Sequence, residues 1–135
     1  MSRVLVDSSV WIDLFRDQTG EKRKQLRRKL RGREVVLSRF NQLELLQGAK
    51  DEQEWELLAD YLSNQEYLEM SYDSWLESAR VWFDLRRRGL TVRSTIDCCI
   101  AMLAIENDVE LLHRDRDFKT IATVRSFRER WMEWG

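Results

Sequence analysis

Short runs of apolar residues recur along the chain, separated by segments in which apolar residues keep a helical spacing. Runs of four or five residues rich in Val, Leu and Ile are typical of buried β-strands. We predict strands at residues 3–6, 34–38, 67–70 and 109–113, with residues 124–127 as a last edge strand. The first and fourth of these strands are each followed within two residues by an aspartate.

Helical periodicity fills the connections between the strands. The first helix follows Ser8 or Ser9, either of which can cap its N-terminus, and Gly20 ends it. Further helices are predicted at residues 21–31, 40–47, 55–62, 75–88, 96–105 and 118–122. The helix at 96–105 is apolar on nearly every face, which indicates that it packs into a core. We also expect Trp55 and Trp82 to pack in the core, because they lie at helical spacing.

Strands that alternate with helices predict an α/β fold with a parallel sheet covered by helices on both faces. We therefore expect a three-layer α/β/α domain whose central parallel sheet has four or five strands. A chain of 135 residues has the usual length of one domain, and we assign residues 1–135 to it. In such folds, ligands bind beyond the carboxyl ends of the strands.

Charge and cysteine content narrow the range of functions. Lys and Arg total 23 against 24 Asp and Glu, so any contact with nucleic acid must come from local patches. Cys98 and Cys99 are adjacent, which suits neither an ordinary disulfide nor a zinc site, so we interpret them as buried thiols in a reducing cytoplasm. The sequence predicts neither a signal peptide nor a membrane span.

Four carboxylates lie near the junctions of predicted elements: Asp7, Glu44, Asp97 and Asp115. Acids dispersed in sequence converge where element ends meet, and their oxygens suit Mg²⁺ or Mn²⁺. Taken singly, each acid is more often a helix cap or a surface residue, and Glu44 fits a solvated helix face equally well. Asp7 and Asp97 border buried segments in which a carboxylate needs a partner, and this favours a shared metal site.

Four segments carry a resemblance to a known family: Val4–Asp13 (VLVDSSVWID), Leu37–Gly48 (LSRFNQLELLQG), Leu90–Ile105 (LTVRSTIDCCIAMLAI) and Leu111–Phe118 (LLHRDRDF). In this order and spacing they resemble PIN-domain ribonucleases and, within that superfamily, the VapC toxins of bacterial toxin–antitoxin pairs. The resemblance spans nearly the whole chain.

The resemblance implies a metal-dependent endoribonuclease. It assigns as ligands of Mg²⁺ or Mn²⁺ the residues Asp7, Glu44, Asp97 and Asp115, with Ser9 and Asp117 as auxiliary residues. It implies that water activated by the metal hydrolyses RNA phosphodiesters and leaves a 5′ phosphate and a 3′ hydroxyl. It further implies inhibition by a VapB-like antitoxin and assembly as a homodimer.

Basic and aromatic residues provide candidates for contacts with RNA and with the antitoxin. The basic helix at 21–31 fits an RNA-binding surface and a solvated face equally well. Arginines nearer the acids are the better candidates for holding phosphates. The RNA-binding candidates are Arg86, Arg87, Arg88, Arg93, Arg116, Arg27, Arg28 and Arg31. The resemblance implies an antitoxin groove at the first helix, with Trp11, Leu14 and Phe15 as candidates.

Two other classes of protein remain open on the sequence. A non-catalytic RNA-binding or scaffold PIN domain would keep the fold and lose the metal, and the presence of all four acids argues against it. A phospho-acceptor receiver domain needs paired acids after its first strand and a lysine after its last, and neither is evident. His113, the only histidine, is more often a structural hydrogen bonder at the end of an apolar strand than a catalytic base.

Overall fold

A parallel sheet of five strands forms the centre of the structure, a computed structural model that describes residues 2–135. The strands, in chain order, are β1 (Arg3–Val6), β2 (Glu34–Ser38), β3 (Glu66–Leu68), β4 (Glu110–His113) and β5 (Glu129–Trp131). Their order in the sheet is β3-β2-β1-β4-β5, and every neighbouring pair is parallel. The predicted parallel sheet is therefore confirmed.

Seven helices connect the strands within the described residues. They are α1 (Ser8–Arg16), α2 (Glu21–Lys29), α3 (Arg39–Gln47), α4 (Glu52–Ser63), α5 (Tyr72–Arg87), α6 (Thr95–Glu106) and α7 (Arg116–Ala122). Each predicted helix is present, with bounds that differ by a few residues from those expected. Side-chain caps begin most of them, as the Ser38 side chain does for α3 and the Ser94 side chain for α6.

Two apolar cores, one on each face of the sheet, give the molecule three layers. Successive strand residues point to opposite faces, so Leu5 packs with α5, α6 and α7, while Val4 and Val6 pack with α1 to α4. The first core is filled largely by the apolar helix α6, and Phe118 of α7 is fully buried there. Burial of a side chain of this size stabilises the fold by about 1.5–3 kcal/mol. The predicted α/β/α architecture is confirmed.

The order of the strands reverses beside β1, and this reversal fixes where a ligand can bind. The chain runs outward from β1 to β2 and β3, and then returns to place β4 on the other side of β1. Helices leave β1 and β4 toward different layers, which opens a crevice at the carboxyl ends of these two strands. Val6 pairs with Leu112, so Asp7 and the residues after His113 meet at this crevice.

Several expected details are wrong. The fifth strand is Glu129–Trp131 and not residues 124–127, which form turns after α7. The cap of α1 is neither Ser8 nor Ser9 but Asp7, whose side chain accepts a hydrogen bond from the Ser9 amide. Trp55 is 44% exposed and packs in neither core, whereas Trp82 is half-buried and packs against the first core as expected.

The outward faces of α4 and α5 explain the error at Trp55. Helical spacing of apolar residues shows that they share a face but does not show which face is buried. In α5 the buried residues are Ser74, Ser78, Val81 and Leu85. The aromatic residues Tyr72, Trp75 and Phe83 of the same helix are exposed. Cys98 and Cys99 are buried free thiols, as predicted. Across residues 2–135, no helix has the length and apolar character needed to cross a membrane.

Candidate active site

Asp7 follows β1 directly and is almost completely buried. Its Oδ2 accepts hydrogen bonds from the Ser9 amide at 3.0 Å and from the Ser9 hydroxyl at 2.7 Å. The Ser9 Oγ in turn accepts the Arg114 amide at 2.9 Å, which links the end of β1 to the loop after β4. Ser9, predicted as an auxiliary residue, thus ties the two halves of the crevice together.

Glu44 joins the site through residues on α1 and α3. Its Oε1 accepts the Ser8 hydroxyl at 3.0 Å, and Ser8 Oγ accepts the Asn41 amide group at 3.0 Å. The same Asn41 Nδ2 donates to Asp7 Oδ1 at 3.3 Å. Glu44 therefore faces the crevice and not open solvent, which settles the ambiguity of its helical position.

Asn41 and Ser8 are polar site residues that the sequence analysis missed. Asn41 is fully buried and closes a capping box with Ser38, in which its Oδ1 accepts the Ser38 amide at 3.0 Å. Its side-chain nitrogen is then oriented toward Asp7 and Ser8. Ser38 and Asn41 have the spacing of a capping box, although the usual residue at the second position is Glu or Gln.

The remaining acids lie at the starts of α6 and α7. Asp97 occupies the first turn of α6, which Ser94 caps. Asp115 caps α7 by accepting the Asp117 amide at 2.9 Å on Oδ1, and Asp117 occupies the first turn of that helix. Asp97, Asp115 and Asp117 each present an oxygen within 4.8 Å of the others. Asp117, predicted only as an auxiliary residue, is therefore one of the three most closely grouped acids.

His113 is buried next to this group of acids and contacts the Asp115 backbone. Its Nδ1 accepts the Asp115 amide at 3.1 Å, so the ring proton resides on Nε2, which lies 2.7 Å from Glu129 Oε1. The ring is fully buried and packs against Phe118 and Trp131. The interpretation of His113 as a structural hydrogen bonder is confirmed.

Burial and mutual repulsion disfavour full ionisation of the acids in the absence of a cation. Burial, reinforced by the charges of Asp115, Asp7, Asp117 and Glu44, raises the pKa of Asp97 to about 8. Burial also raises the pKa of Asp7 and of Glu44, and the Asp115 charge adds to both effects. The carboxylates predicted as ligands thus repel one another, and a divalent cation bound between them would relieve this repulsion.

Arg93 contacts two of the acids. Its Nη2 donates to Asp115 Oδ1 at 2.7 Å, and its Nε donates to Asp117 Oδ2 at 3.1 Å. The Arg93 backbone amide donates to the same Asp117 oxygen at 3.0 Å. Hydrogen bonds to Asp117 and Asp115 raise the pKa of the guanidinium further. This residue, predicted to hold RNA phosphates, therefore lies against two of the acids.

The other arginine candidates fall into two groups. Helix α5 runs antiparallel to α6, with Ser74 bonded to Glu106, so Arg86 and Arg87 lie toward the end of α6 that carries Asp97. The α2 arginines lie elsewhere. The turn after α2 leads into the start of β2, where the Glu34 amide donates to the Ser2 carbonyl. This point is at the amino-terminal ends of the strands, on the side of the sheet opposite the acids.

The apolar residues of α1 differ in exposure. Trp11 is 6% exposed, and its indole nitrogen donates to the Val6 carbonyl, so it belongs to the core. Leu14 is half-buried, whereas Phe15 is 48% exposed and lies beside Trp11. Tyr61 of α4 packs edge-on against Trp11 and is also exposed. A partner at this surface would meet Phe15 and Tyr61 before Trp11.

The donor set suits a hard divalent cation. Asp97, Asp115 and Asp117 provide carboxylate oxygens, and Asp7 and Glu44 line the same crevice, with neither Cys nor His facing them as a ligand among the described residues. Mg²⁺ and Mn²⁺ bind through a few carboxylates and retain waters on an open side. Asp97 and its neighbours therefore fit a metal of this class.

The comparison with known protein families agrees with this arrangement. A PIN-domain family profile matches residues 4–124, a range that contains all five acids. Ribonuclease VapC11 from Mycobacterium tuberculosis strain H37Rv is 30% identical over 128 residues, which cover 93% of this chain and 96% of that protein. This chain is a PIN-domain protein of the VapC family. A VapC ribonuclease from Mycobacterium bovis matches with the same identity and coverage.

Solved structures of VapC proteins share the fold. The VapBC2 complex from Rickettsia felis, bound to a DNA fragment from its promoter, contains a chain with a TM-score of 0.78 at 18% identity, over 97% of this chain and 99% of that one. VapC20 from Mycobacterium tuberculosis, a toxin that cleaves the sarcin–ricin loop, has a TM-score of 0.65 at 19% identity, over 92% of this chain and 95% of that one. At this identity the likeness concerns the fold.

Proposed function

We propose that this protein is a metal-dependent endoribonuclease and the toxin of a toxin–antitoxin pair. The observation that carries the proposal is the convergence of five acids at the crevice between β1 and β4 in a VapC-family chain. The named ribonuclease relatives and the toxin–antitoxin complexes among the structural neighbours support the reaction and the setting. We take residues 1–135 as one catalytic domain.

The acids divide into two groups by position. Asp97, Asp115 and Asp117 would hold Mg²⁺ or Mn²⁺, and Asp7 and Glu44 would complete the site from the β1 side. Such an ion lowers the pKa of a water and neutralises charge on the attacked phosphodiester. Burial and the neighbouring carboxylates raise the pKa of Asp97 to about 8, so a cation bound there would compete with a proton for this carboxylate.

The chain's polar residues keep these acids in place. Ser9 holds Asp7 and the Arg114 amide, and His113 holds the Asp115 amide, so the ends of β1 and β4 keep a fixed separation. Asn41 and Ser8 orient Glu44 from the neighbouring helices. Placement on the ends of strands and helices limits motion of the carboxylates, which a metal-dependent reaction requires.

Positive side chains around the crevice would hold the RNA. Arg116 extends from the first turn of α7, and Arg86 and Arg87 extend from the last turn of α5. A phosphodiester held there would lie beside the acids, where in-line attack by water on phosphorus would break the bond to the 3′ oxygen and leave a 5′ phosphate and a 3′ hydroxyl. Binding of this kind weakens as salt rises, because each phosphate contact releases counterions.

The antitoxin would cover an exposed apolar surface made by α1 and α4. Phe15, Leu57 and Tyr61 are exposed, and Trp11 packs beneath Phe15 and Tyr61. Exposed apolar residues grouped in this way mark sites of protein association. Two buried free cysteines suit a reducing compartment, and we place the complex in the bacterial cytoplasm.

The proposed reaction is tested by incubating purified protein with RNA and Mn²⁺ and then sequencing the product ends. We expect cleavage that stops with chelator and falls by at least about 100-fold in Asp97→Asn, because one ligand of the cation is lost. Asp73→Asn, a surface acid of α5, is the matched control and should cleave normally. RNA binding without either metal binding or cleavage would instead identify a non-catalytic RNA-binding domain.

The antitoxin surface needs a separate experiment. Phe15→Ala combined with Tyr61→Ala should weaken the complex with a co-expressed VapB-like antitoxin by at least about tenfold, because two exposed aromatic contacts are removed. RNA cleavage by the free variant should persist. Leu76→Ala on α5, a comparable exposed apolar residue in the other helix layer, serves as the control. Unchanged affinity in the double variant would exclude this surface.

A further inference from the structure

Arg93 is hydrogen-bonded to two of the carboxylates that a cation would use. Its guanidinium donates to Asp115 Oδ1 and to Asp117 Oδ2, and these acids belong to the trio whose oxygens lie within 4.8 Å of one another. Across residues 2–135, no other Lys or Arg forms an ion pair with any of the five acids. Arg93 is therefore the basic residue that is paired with this group of acids.

The surroundings of Arg93 leave its side chain free to move. The Arg93 side chain is 77% exposed, whereas those of Asp115 and Asp117 are 17% and 15% exposed. The Arg93 backbone amide makes its own hydrogen bond to Asp117, so the segment between α5 and α6 stays attached when the guanidinium leaves. The side-chain contacts and the backbone contact can thus be separated by substitution.

We infer that the Arg93 guanidinium competes with the divalent cation for Asp115 and Asp117 and, once displaced, binds the RNA phosphate beside them. The inference rests on the proposed function. Competition follows because a guanidinium held 2.7 Å from Asp115 Oδ1 and 3.1 Å from Asp117 Oδ2 opposes, by its charge and by the space it fills, a cation that approaches the same two carboxylates. Displacement leaves a planar guanidinium at the mouth of the crevice, where its paired donors match two phosphate oxygens.

This exchange would couple metal loading to substrate binding. In the metal-free protein Arg93 neutralises part of the acidic charge and is unavailable to RNA. In the metal-loaded protein the cation takes over the acids, and the guanidinium becomes available for the phosphate. Arg93 would therefore weaken metal binding and strengthen RNA binding, and its removal should have opposite effects on the two affinities.

The first test measures Mn²⁺ binding by calorimetry in the absence of RNA. Arg93→Gln should bind Mn²⁺ about three- to tenfold more tightly than the wild type, the range expected when the two ion pairs of an exposed arginine no longer compete. Arg116→Gln is the matched control, because it removes the same charge from the first turn of α7 without removing an ion pair to the acids. Arg93→Lys should fall between Arg93→Gln and the wild type.

The second test measures RNA affinity by fluorescence anisotropy, with Ca²⁺ as the cation so that cleavage stays slow. With Ca²⁺ present, Arg93→Gln should bind RNA about three- to tenfold more weakly than the wild type, because one charge-assisted phosphate contact is lost. Without a divalent cation the two proteins should bind RNA within about twofold of each other. Circular dichroism checks that each variant is folded.

The outcomes separate this inference from the proposed function. Equal Mn²⁺ affinity in the wild type and Arg93→Gln would overturn the competition while leaving a metal-dependent ribonuclease intact. Weaker Mn²⁺ binding in Arg93→Gln would also overturn it, since Arg93 would then support the ligands. Absence of Mn²⁺ binding in the wild type would overturn the proposed function and this inference with it.

Discussion

Asp97 shows how the acidic site opposes the stability of the metal-free protein. Its pKa is raised from an ordinary 3.8 to about 8 by burial and by four neighbouring carboxylates. The folded protein therefore holds a proton that the unfolded chain releases, so stability is lost as pH rises from about 4 to about 8. A change at this one residue should alter the pH dependence of unfolding.

We predict that Asp97→Asn raises the melting temperature of the metal-free protein, and more so at higher pH. The amide keeps the shape of the side chain and carries no charge at any pH, so the gain should be small at pH 4 and roughly 5 °C or more at pH 8. Calorimetry over this range, with Asp73→Asn as control, measures it. A gain independent of pH would show that Asp97 carries no electrostatic penalty.

A second prediction concerns the contribution of the His113 ring to stability. Its ring is fully buried. The ring Nδ1 accepts a hydrogen bond from the Asp115 amide, and Nε2 lies beside the Glu129 carboxylate. His113→Ala leaves both groups without a partner and opens a cavity beside Phe118, which should cost about 3–5 kcal/mol of the free energy of unfolding.

His113→Asn provides the matched comparison for this position. Its side-chain oxygen offers an acceptor near the position of Nδ1, so it should recover part of the stability and more of the RNA cleavage than His113→Ala. Urea unfolding and initial cleavage rates measure the two quantities. A loss below about 1 kcal/mol in His113→Ala would show that the ring does not hold the end of β4.

The arginines on α5 and α7 should contribute more to RNA binding than the arginines on α2. The last turn of α5 and the first turn of α7 lie toward the acids, whereas the end of α2 leads to the opposite edge of the sheet. Replacing Arg86, Arg87 and Arg116 by Gln should therefore remove about two units from the salt dependence of RNA binding, at roughly 0.7 per single-strand contact.

The matched variant replaces Arg27, Arg28 and Arg31 of α2 and changes the net charge by the same amount. We expect it to remove less than half as much of the slope, because these side chains lie away from the crevice. Binding isotherms at several salt concentrations compare the two triple variants. Equal slopes would show that RNA extends across both regions of the surface.

The strands and the acids that follow them were predictable because their signals are local. The residues of β1 and β2 include unbroken apolar runs, and the carboxyl ends of parallel strands lie on one side of a sheet, which is where Asp7 and Asp115 meet. Strand β5 was misplaced because Glu129–Trp131 is short, charged and set at the edge, where partner hydrogen bonds and not an apolar pattern define it.

The finer geometry of the site depended on contacts between distant residues. The pairing of Arg93 with Asp115 and Asp117 spans more than twenty residues, and nothing in either segment alone distinguishes it from a solvated arginine. The burial of Trp11 depends on the Val6 carbonyl and on α4 closing over it. Such contacts follow from the packing of layers, which periodicity does not determine.

Helix α5 presents an apolar stripe to solvent, opposite its buried face. Tyr72, Trp75, Leu76 and Phe83 are exposed, and Ala79 at the centre allows a second helix to approach closely. An antiparallel second copy centred on Ala79 would set Trp75 and Leu76 against Phe83 and Trp82 of that copy. It would also set Asp73 beside Arg87, so the charges are complementary.

We predict that this stripe forms the homodimer that the family resemblance implies. Asp73→Arg and Arg87→Asp should each weaken self-association by at least about threefold, and the two together should restore it, since each changes the sign of one partner. Sedimentation velocity measures the dimer. Leu57→Glu, an exposed apolar position on α4, is the control. Failure of the double variant to recover would exclude the antiparallel arrangement.

The most direct test of the metal site is a crystal structure determined after soaking in Mn²⁺, with anomalous diffraction data. The acidic site predicts an anomalous peak about 2.1 Å from oxygens of Asp97 and Asp115, at a distance typical of small divalent cations. The Arg93 guanidinium should have left Asp115. A peak at another position, or no peak in crystals of protein that cleaves RNA with Mn²⁺, would contradict the assignment of this crevice as the catalytic centre.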